Sequence, residues 1–149
     1  MSSDRDASNS FDLERFVSAQ ADRYADAVRE LMAGKKRTHW MWFVFPQIDG
    51  LGSSAMARRY AIGSLEEARA YLAHPVLGPR LLECTLIVNG LDGRSALEIF
   101  GRPDNLKFQS SMTLFELASG TGAPFSAALE KYFSGERDRS TPRLARAAS

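Results

Sequence analysis

The stretch Val76–Leu91 constrains the fold most. It carries Leu77, Leu81, Leu82, Leu86, Ile87 and Val88 and follows the break His74-Pro75. An apolar-rich run of this length outreaches an ordinary strand of about five or six residues. It reads as a buried helix. A buried helix needs apolar partners, and the flanking sequence offers them as further helices. Tyr24, Val28, Leu31 and Met32 recur at helical spacing, and Gly34 closes that helix. Ser64 with Glu67 makes a capping box for a helix whose apolar face is Leu65, Ala68, Tyr71 and Leu72. Ser95 with Glu98 makes a second box, for a short helix ending at Gly101. Asp104 is placed to cap the next helix, which has Phe108, Met112 and Phe115 on one face. Pro124 fits a first helical position, and Phe125, Ala128, Leu129, Tyr132 and Phe133 follow at helical spacing.

Two segments are ambiguous. Trp40–Phe45 is aromatic enough for a strand, and Thr85–Val88 has some β-branching, but neither has a partner strand with hairpin signals nearby. The predicted fold is therefore all-α, a single compact domain of about seven or eight short helices. That domain is expected over residues 11–133. Residues 1–10 are Ser/Asp-rich and read as a disordered N-terminal tail. Residues 134–149, with Arg137, Arg139, Arg143 and Arg146, read as a mobile C-terminal tail.

A chain of 149 residues suits one domain and is large enough to fold without a disulfide or a metal. Its net charge of +1 exerts no global pull toward nucleic acid or membrane. Cys84 is the one cysteine, which excludes an internal disulfide and any multi-cysteine metal site. Its neighbours Leu81, Leu82 and Leu86 mark it as a buried, inert thiol. No apolar run approaches the ~20 residues of a membrane span. Residues 1–10 lack an apolar signal core, so a cytoplasmic location is expected. No cofactor is called for. The two histidines, His39 and His74, are far apart and lack a third clustered ligand for zinc.

Polar chemistry gathers in three places. Lys35–Ala55 holds both tryptophans, the cations Lys35, Lys36 and Arg37, His39 and the turn Gly50-Leu51-Gly52-Ser53-Ser54. Its aromatics suit a buried helix, with Trp40, Phe43 and Val44 on one face and Met41 and Phe45 on another. Its cations are either a solvated edge or ligand contacts. The glycine turn, leading into a helix capped by Ser53 or Ser54, suits either a tight connection or a phosphate or carboxylate site. It fits G-x-G-x-x-A but lacks the β-α-β context of a dinucleotide fold, and it is no P-loop. The second place is His74, a cap or packing residue at a helix break, or a general acid/base. The third is Asp104–Thr113, where Asp104, Lys107 and Ser111 share one helix face and Gln109 and Thr113 form another polar pair. An (i, i+3) Asp–Lys pair with surface hydroxyls explains these residues, as does a polar wall that meets the glycine turn. A Ser/Lys nucleophile pair is conceivable there.

These strings also carry a resemblance. His39-Trp40-Met41-Trp42-Phe43-Val44-Phe45-Pro46-Gln47, Gly50-Leu51-Gly52-Ser53-Ser54, Tyr60-Ala61-Ile62, Tyr71 to Leu81, Ile99-Phe100-Gly101, Asp104, Lys107 and Ser110 to Phe115 fall in order along the chain. Together they resemble the bacterial and fungal domain of unknown function family numbered 1810, over about Phe11 to Phe133. The resemblance implies an all-helical fold and brings no established activity. Members are sometimes labelled calpastatin-like. Calpain-inhibitor segments are disordered and polar, whereas this chain has helix caps and a 44% apolar composition. The family motifs fall on His39, Trp42, Gln47, Gly50, Gly52, Ser54, Tyr60, His74, Asp104, Lys107, Ser111 and Thr113, a mixture that suits a small-molecule pocket.

The expected function is a pocket for a small anionic, nucleotide-like ligand, with enzymatic activity left open. His39, His74 and Lys107 are the candidate catalytic groups. Lys36, Trp42, Gln47, Gly50, Gly52, Ser54, Tyr60, Asp104, Ser111 and Thr113 are the candidate ligand contacts. The alternative is a non-catalytic helical module that shows an exposed aromatic patch to a protein partner, its identity unknown. Nucleic acid ranks third, because three cations do not build a broad basic face.

Overall fold

Ten helices form among the described residues: α1 (Glu14–Ala21), α2 (Tyr24–Met32), α3 (Met41–Val44), α4 (Ala55–Arg59), α5 (Leu65–Ala73), α6 (Leu77–Gly90), α7 (Ala96–Phe100), α8 (Asp104–Ser119), α9 (Phe125–Phe133) and α10 (Ser140–Ala148). They belong to a computed structural model that describes residues 11–120 and 122–148. The expectation for residues 1–10 lies outside that range. The described residues contain no strand, only an isolated parallel bridge between Ile48 and Ile62. The all-α prediction holds. The helix number exceeds the expected one because α3, α4 and α7 are helices of 4, 5 and 5 residues.

Start and stop signals act much as the sequence predicts. The Ser95–Glu98 box is reciprocal, each side chain meeting the other's backbone N–H. At α5 the box is half formed. Ser64 Oγ accepts from the Glu67 N–H, but the Glu67 carboxylate turns to the Gly63 N–H and to Arg15. Asp104 does not cap α8. It occupies the first helical position after Pro103, and its carboxylate turns to two lysines instead.

α8 is the central element, packing against α5, α7, α9 and α10. Its run from Ser110 to Phe115 is wholly buried. Phe108 stacks on Phe100 at 4.6 Å between centroids and meets Phe45 edge-on at 5.1 Å. Phe115 joins Tyr71 and Phe125 on the other side. α6 packs beside it on α2, α5 and α9. The approach of α5 to α6 is close enough that a Cβ on Gly78 would lie 2.1 Å from the Leu72 carbonyl oxygen. Only glycine permits that crossing.

The segment after Phe133 differs from the expected mobile tail. Ser134 and Gly135 both take left-handed φ values, 54° and 80°, and turn the chain back across α8. Ser140–Ala148 then forms α10, with Thr141 and Ala145 buried and contacts to α5 and α8. The Asp138 carboxylate caps this helix by accepting from the N–H and hydroxyl of Thr141. No described helix is long and apolar enough to cross a membrane.

Candidate functional site

The aromatic segment divides between core and surface within one turn. Trp40, Met41, Phe43, Val44 and Phe45 are buried, while Trp42 is half-buried. Trp40 is fixed by Glu30, which accepts hydrogen bonds from the Trp40 indole (3.0 Å), the Arg37 and Thr38 N–H groups (2.7 and 2.9 Å) and the Thr38 hydroxyl (2.6 Å). Burial alone would push Glu30 upward, but donation from Thr38, Arg37 and Trp40 outweighs it and lowers the carboxyl pKa to about 2. Trp40 is therefore core, and Trp42 is the tryptophan that a ligand could reach. Neither tryptophan is fully exposed.

Holding residues 37–40 against α2 places Lys36 beside the start of α8. The Lys36 N–H also donates to the Ile99 carbonyl at 2.7 Å. Lys36 Nζ lies 2.9 Å from one Asp104 oxygen, and Lys107 Nζ lies 3.3 Å from the other. Each lysine also sits over an indole face, Lys36 5.2 Å from the Trp40 centroid and Lys107 4.9 Å from that of Trp42. The three charged side chains are only 8%, 17% and 25% exposed for Lys36, Asp104 and Lys107. Two cations on one carboxylate leave one positive charge in a poorly hydrated place.

Trp42 connects this clamp to a small cavity. The cavity measures about 10 Å³ and is lined by Trp42, Gln47, Ile48, Gly50, Gly52, Ala57, Tyr60 and Ala61. That is room for roughly one water-sized group. Gln47 is among the lining residues, and its side chain has no hydrogen-bond partner among the described residues. The loop that forms the cavity is pinned by the Ile62 N–H to the Gln47 carbonyl and the Asp49 N–H to the Ile62 carbonyl, both 2.8 Å. Arg15 ties the loop's far end to the core through the Arg59 and Ala61 carbonyls and Glu67.

Of the predicted residues, the structure brings Lys36, Trp42, Gln47, Gly50, Gly52, Tyr60, Asp104 and Lys107 into one connected group. The others have different surroundings. The two glycines answer to packing as well as to the cavity. Gly50 has a φ of +104° with Leu144 of α10 against it, and a Cβ on Gly52 would lie 2.7 Å from Ala57 Cβ. Ser54 Oγ caps α4 by accepting from the Ala57 N–H, and α4 has only five residues. Tyr60 is mostly core, edge-on to Phe43 at 5.4 Å. Ser111 is fully buried and its hydroxyl has no partner among the described residues. The Thr113 hydroxyl donates to the Gln109 carbonyl and accepts from the Asp138 N–H, while Gln109 donates to the Glu136 carbonyl. The second polar pair of α8 thus holds the C-terminal segment.

The two histidines do not meet Lys107 through any contact among the described residues. His39 is exposed and has no hydrogen bond or ion pair there. His74 Nδ1 accepts from the N–H groups of Val76 and Leu77 at 3.1 and 3.2 Å, which caps α6. Burial lowers its pKa from 6.5, against an opposing pull from Glu14, and so favours the neutral imidazole that can accept those bonds. Cys84 is buried and its thiol is pushed up to about 12, first by burial. No group of three His, Cys, Asp or Glu residues among those described could hold a metal ion.

Sequence reading missed Glu30, Arg15 and the C-terminal segment. Glu30 had one signal, since it lies on the inward face of α2 with Ala27 and Leu31. Two of its four partners are backbone N–H groups, which no motif marks.

Comparison with known proteins agrees with this picture of the fold. The chain is similar to the conserved hypothetical protein Rv1873 from Mycobacterium tuberculosis, a crystal structure with 60% sequence identity and a TM-score of 0.90, over 91% of this chain and 97% of that one. A search of curated proteins gave no match. The model of the family described as "Protein of unknown function (DUF1810)" matches residues 10–145, and the chain belongs to that family.

Proposed function

We propose that the lysine–aspartate clamp and the cavity beside Trp42 bind a small anionic, nucleotide-like molecule. The observation that carries this reading is the charge balance of the clamp. Lys36 and Lys107 share the single carboxylate of Asp104, each over an indole face, with little exposure to water. An anion that reaches Lys107 meets an unbalanced positive charge where water screens it weakly. Gln47 lines the cavity with a side-chain amide that has no hydrogen-bond partner among the described residues, and Trp42 adds an aromatic surface for a planar ring. A cavity of about 10 Å³ takes one water-sized group, so a terminal oxygen enters it and the bulk of the ligand lies outside. Binding is the whole of the proposal. His39 is exposed and His74 is committed as a helix cap, so neither is given a catalytic role.

Thermal shift with AMP and with nicotinamide nucleotides tests it. Ligand at 100 times its Kd raises Tm by roughly 5–10 °C. At the same ligand concentration Lys107→Ala and Trp42→Ala lose about half of that rise. No shift with any anionic nucleotide, or equal shifts in both variants, contradicts the reading.

A further inference from the structure

We infer that a groove between α5, α6 and the α8–α9 connection binds a medium-length alkyl carboxylate, with Arg69 holding the carboxylate head. This site shares no residue with the clamp or with the cavity beside Trp42, so it stands or falls separately from them. The groove has a volume of about 410 Å³, and Arg69, Leu72, Leu82, Ala118, Ser119 and Phe125 are among its lining residues. That volume lies within the range of small-molecule pockets, roughly 300–1,000 Å³. Apart from Arg69 and Ser119, every lining residue is apolar. Phe125 is 1% exposed and so lies at the base, whereas Leu82 is 38% exposed and lies at the rim. Leu86 follows Leu82 by one turn of α6, is 58% exposed, and extends the apolar surface beyond the groove. An alkyl chain is thin enough to reach Phe125 and long enough to cover Leu82, which a flat partner surface is not.

The polar groups of the groove select the head. The Ser119 hydroxyl is already used, donating to the Glu116 carbonyl at 3.2 Å and accepting from the Gly122 N–H at 2.9 Å. Arg69 is exposed and has no hydrogen bond or ion pair among the described residues. No acidic side chain lines the groove. Glu66, three residues before Arg69, makes no ion pair with it, and Glu83, beside Leu82, accepts from the Tyr24 hydroxyl. A guanidinium presents parallel donors that match a carboxylate. One arginine balances the single charge of a carboxylate but not the nearly double charge of a phosphate monoester. Covering the apolar lining supplies the affinity, and Arg69 sets the orientation and the preference for an anion.

Calorimetry on the full chain with decanoate, decanol and decylamine, each below its micelle concentration, tests the site. Decanoate binds saturably, a single molecule per chain, and roughly fivefold more tightly than decanol, with decylamine the weakest. Arg69→Ala, at an exposed position, brings decanoate to the level of decanol and leaves decanol unchanged. Ala118→Phe fills the groove and removes both, with its helical circular dichroism intact. Decanoate shifts the side-chain resonances of Leu82 and Phe125 and leaves the Trp42 indole N–H in place. The proposal is overturned by equal binding of decanoate and decanol, by decanoate binding that Arg69→Ala or Ala118→Phe leaves intact, or by shifts confined to other residues. Absence of saturable binding overturns it as well. A chain that ignores all three amphiphiles and dimerises, but is monomeric as Leu82→Ser, overturns it in favour of a second copy on this face.

Discussion

Glu30 and Asp104 are two carboxylates that hold opposite ends of one stretch of chain, Lys36 to Trp40, and they leave it in opposite electrostatic states. Glu30 is buried and takes four donors at 2.6 to 3.0 Å, so its acceptor capacity at that end of the segment is already used. Asp104 takes two full cations, which it cannot neutralise alone. A balanced buried carboxylate builds structure, because each donor left without it would bear a desolvation cost. An outnumbered, partly exposed one leaves charge for a ligand. The tryptophans follow suit: Trp40 is locked on Glu30, while Trp42 lines the cavity beside Lys107.

Variants at four positions break or sharpen this contrast. Glu30→Ala has the largest effect, since it strands the Arg37 and Thr38 N–H groups, the Thr38 hydroxyl and the Trp40 indole. It lowers unfolding free energy in urea by about 3 kcal/mol or more. The same site gives an acid limb. The native pKa of about 2 lies below the unfolded value of 4.5, so Glu30's contribution is complete above pH 4.5 and disappears as pH falls toward 2. Glu30→Gln flattens that limb.

Lys107→Ala comes next and acts on binding. Nucleotide affinity falls roughly tenfold by calorimetry, while stability changes by less than about 1 kcal/mol. His74→Ala costs about 1 kcal/mol of stability through loss of the α6 cap and leaves nucleotide affinity unchanged. Its native pKa is depressed, so neutral His74 contributes fully above about pH 6.5, and that contribution is lost as pH falls from 6.5 through the lower native value. A pH series on His74→Ala lacks this limb. Asp104→Asn has the smallest effect. Removing the shared counter-charge tightens nucleotide binding a few-fold. Weaker binding would instead make Asp104 a direct ligand contact.

The helical frame was legible because its signals are local. Ser95 and Glu98 cap across three residues, and Gly34 follows the C-cap Ala33 at the end of α2. α10 was not read, although Thr141, Leu144 and Ala145 have helical spacing, because four arginines in residues 137–146 resemble a solvated tail. At the site, the Asp104–Lys107 pair was visible as an (i, i+3) contact on one helix. The arrival of Lys36 was not, since it depends on Glu30 folding residues 37–40 against α2. The sequence marked Trp42 as a contact through the family motif, but spacing alone gave no reason why it and not Trp40 should reach a ligand. Their separation follows from which indole meets a buried acceptor, a tertiary matter that spacing does not encode.

Titration with AMP followed by the indole N–H resonances tests the central contrast most directly, because the two tryptophans report on its two halves. Trp42, in the cavity wall, shifts in proportion to occupancy, and the Trp40 signal, bonded to Glu30, stays in place. Equal shifts in both, or a shift confined to Trp40, would contradict the assignment of structure to Glu30 and ligand to Asp104 and Lys107.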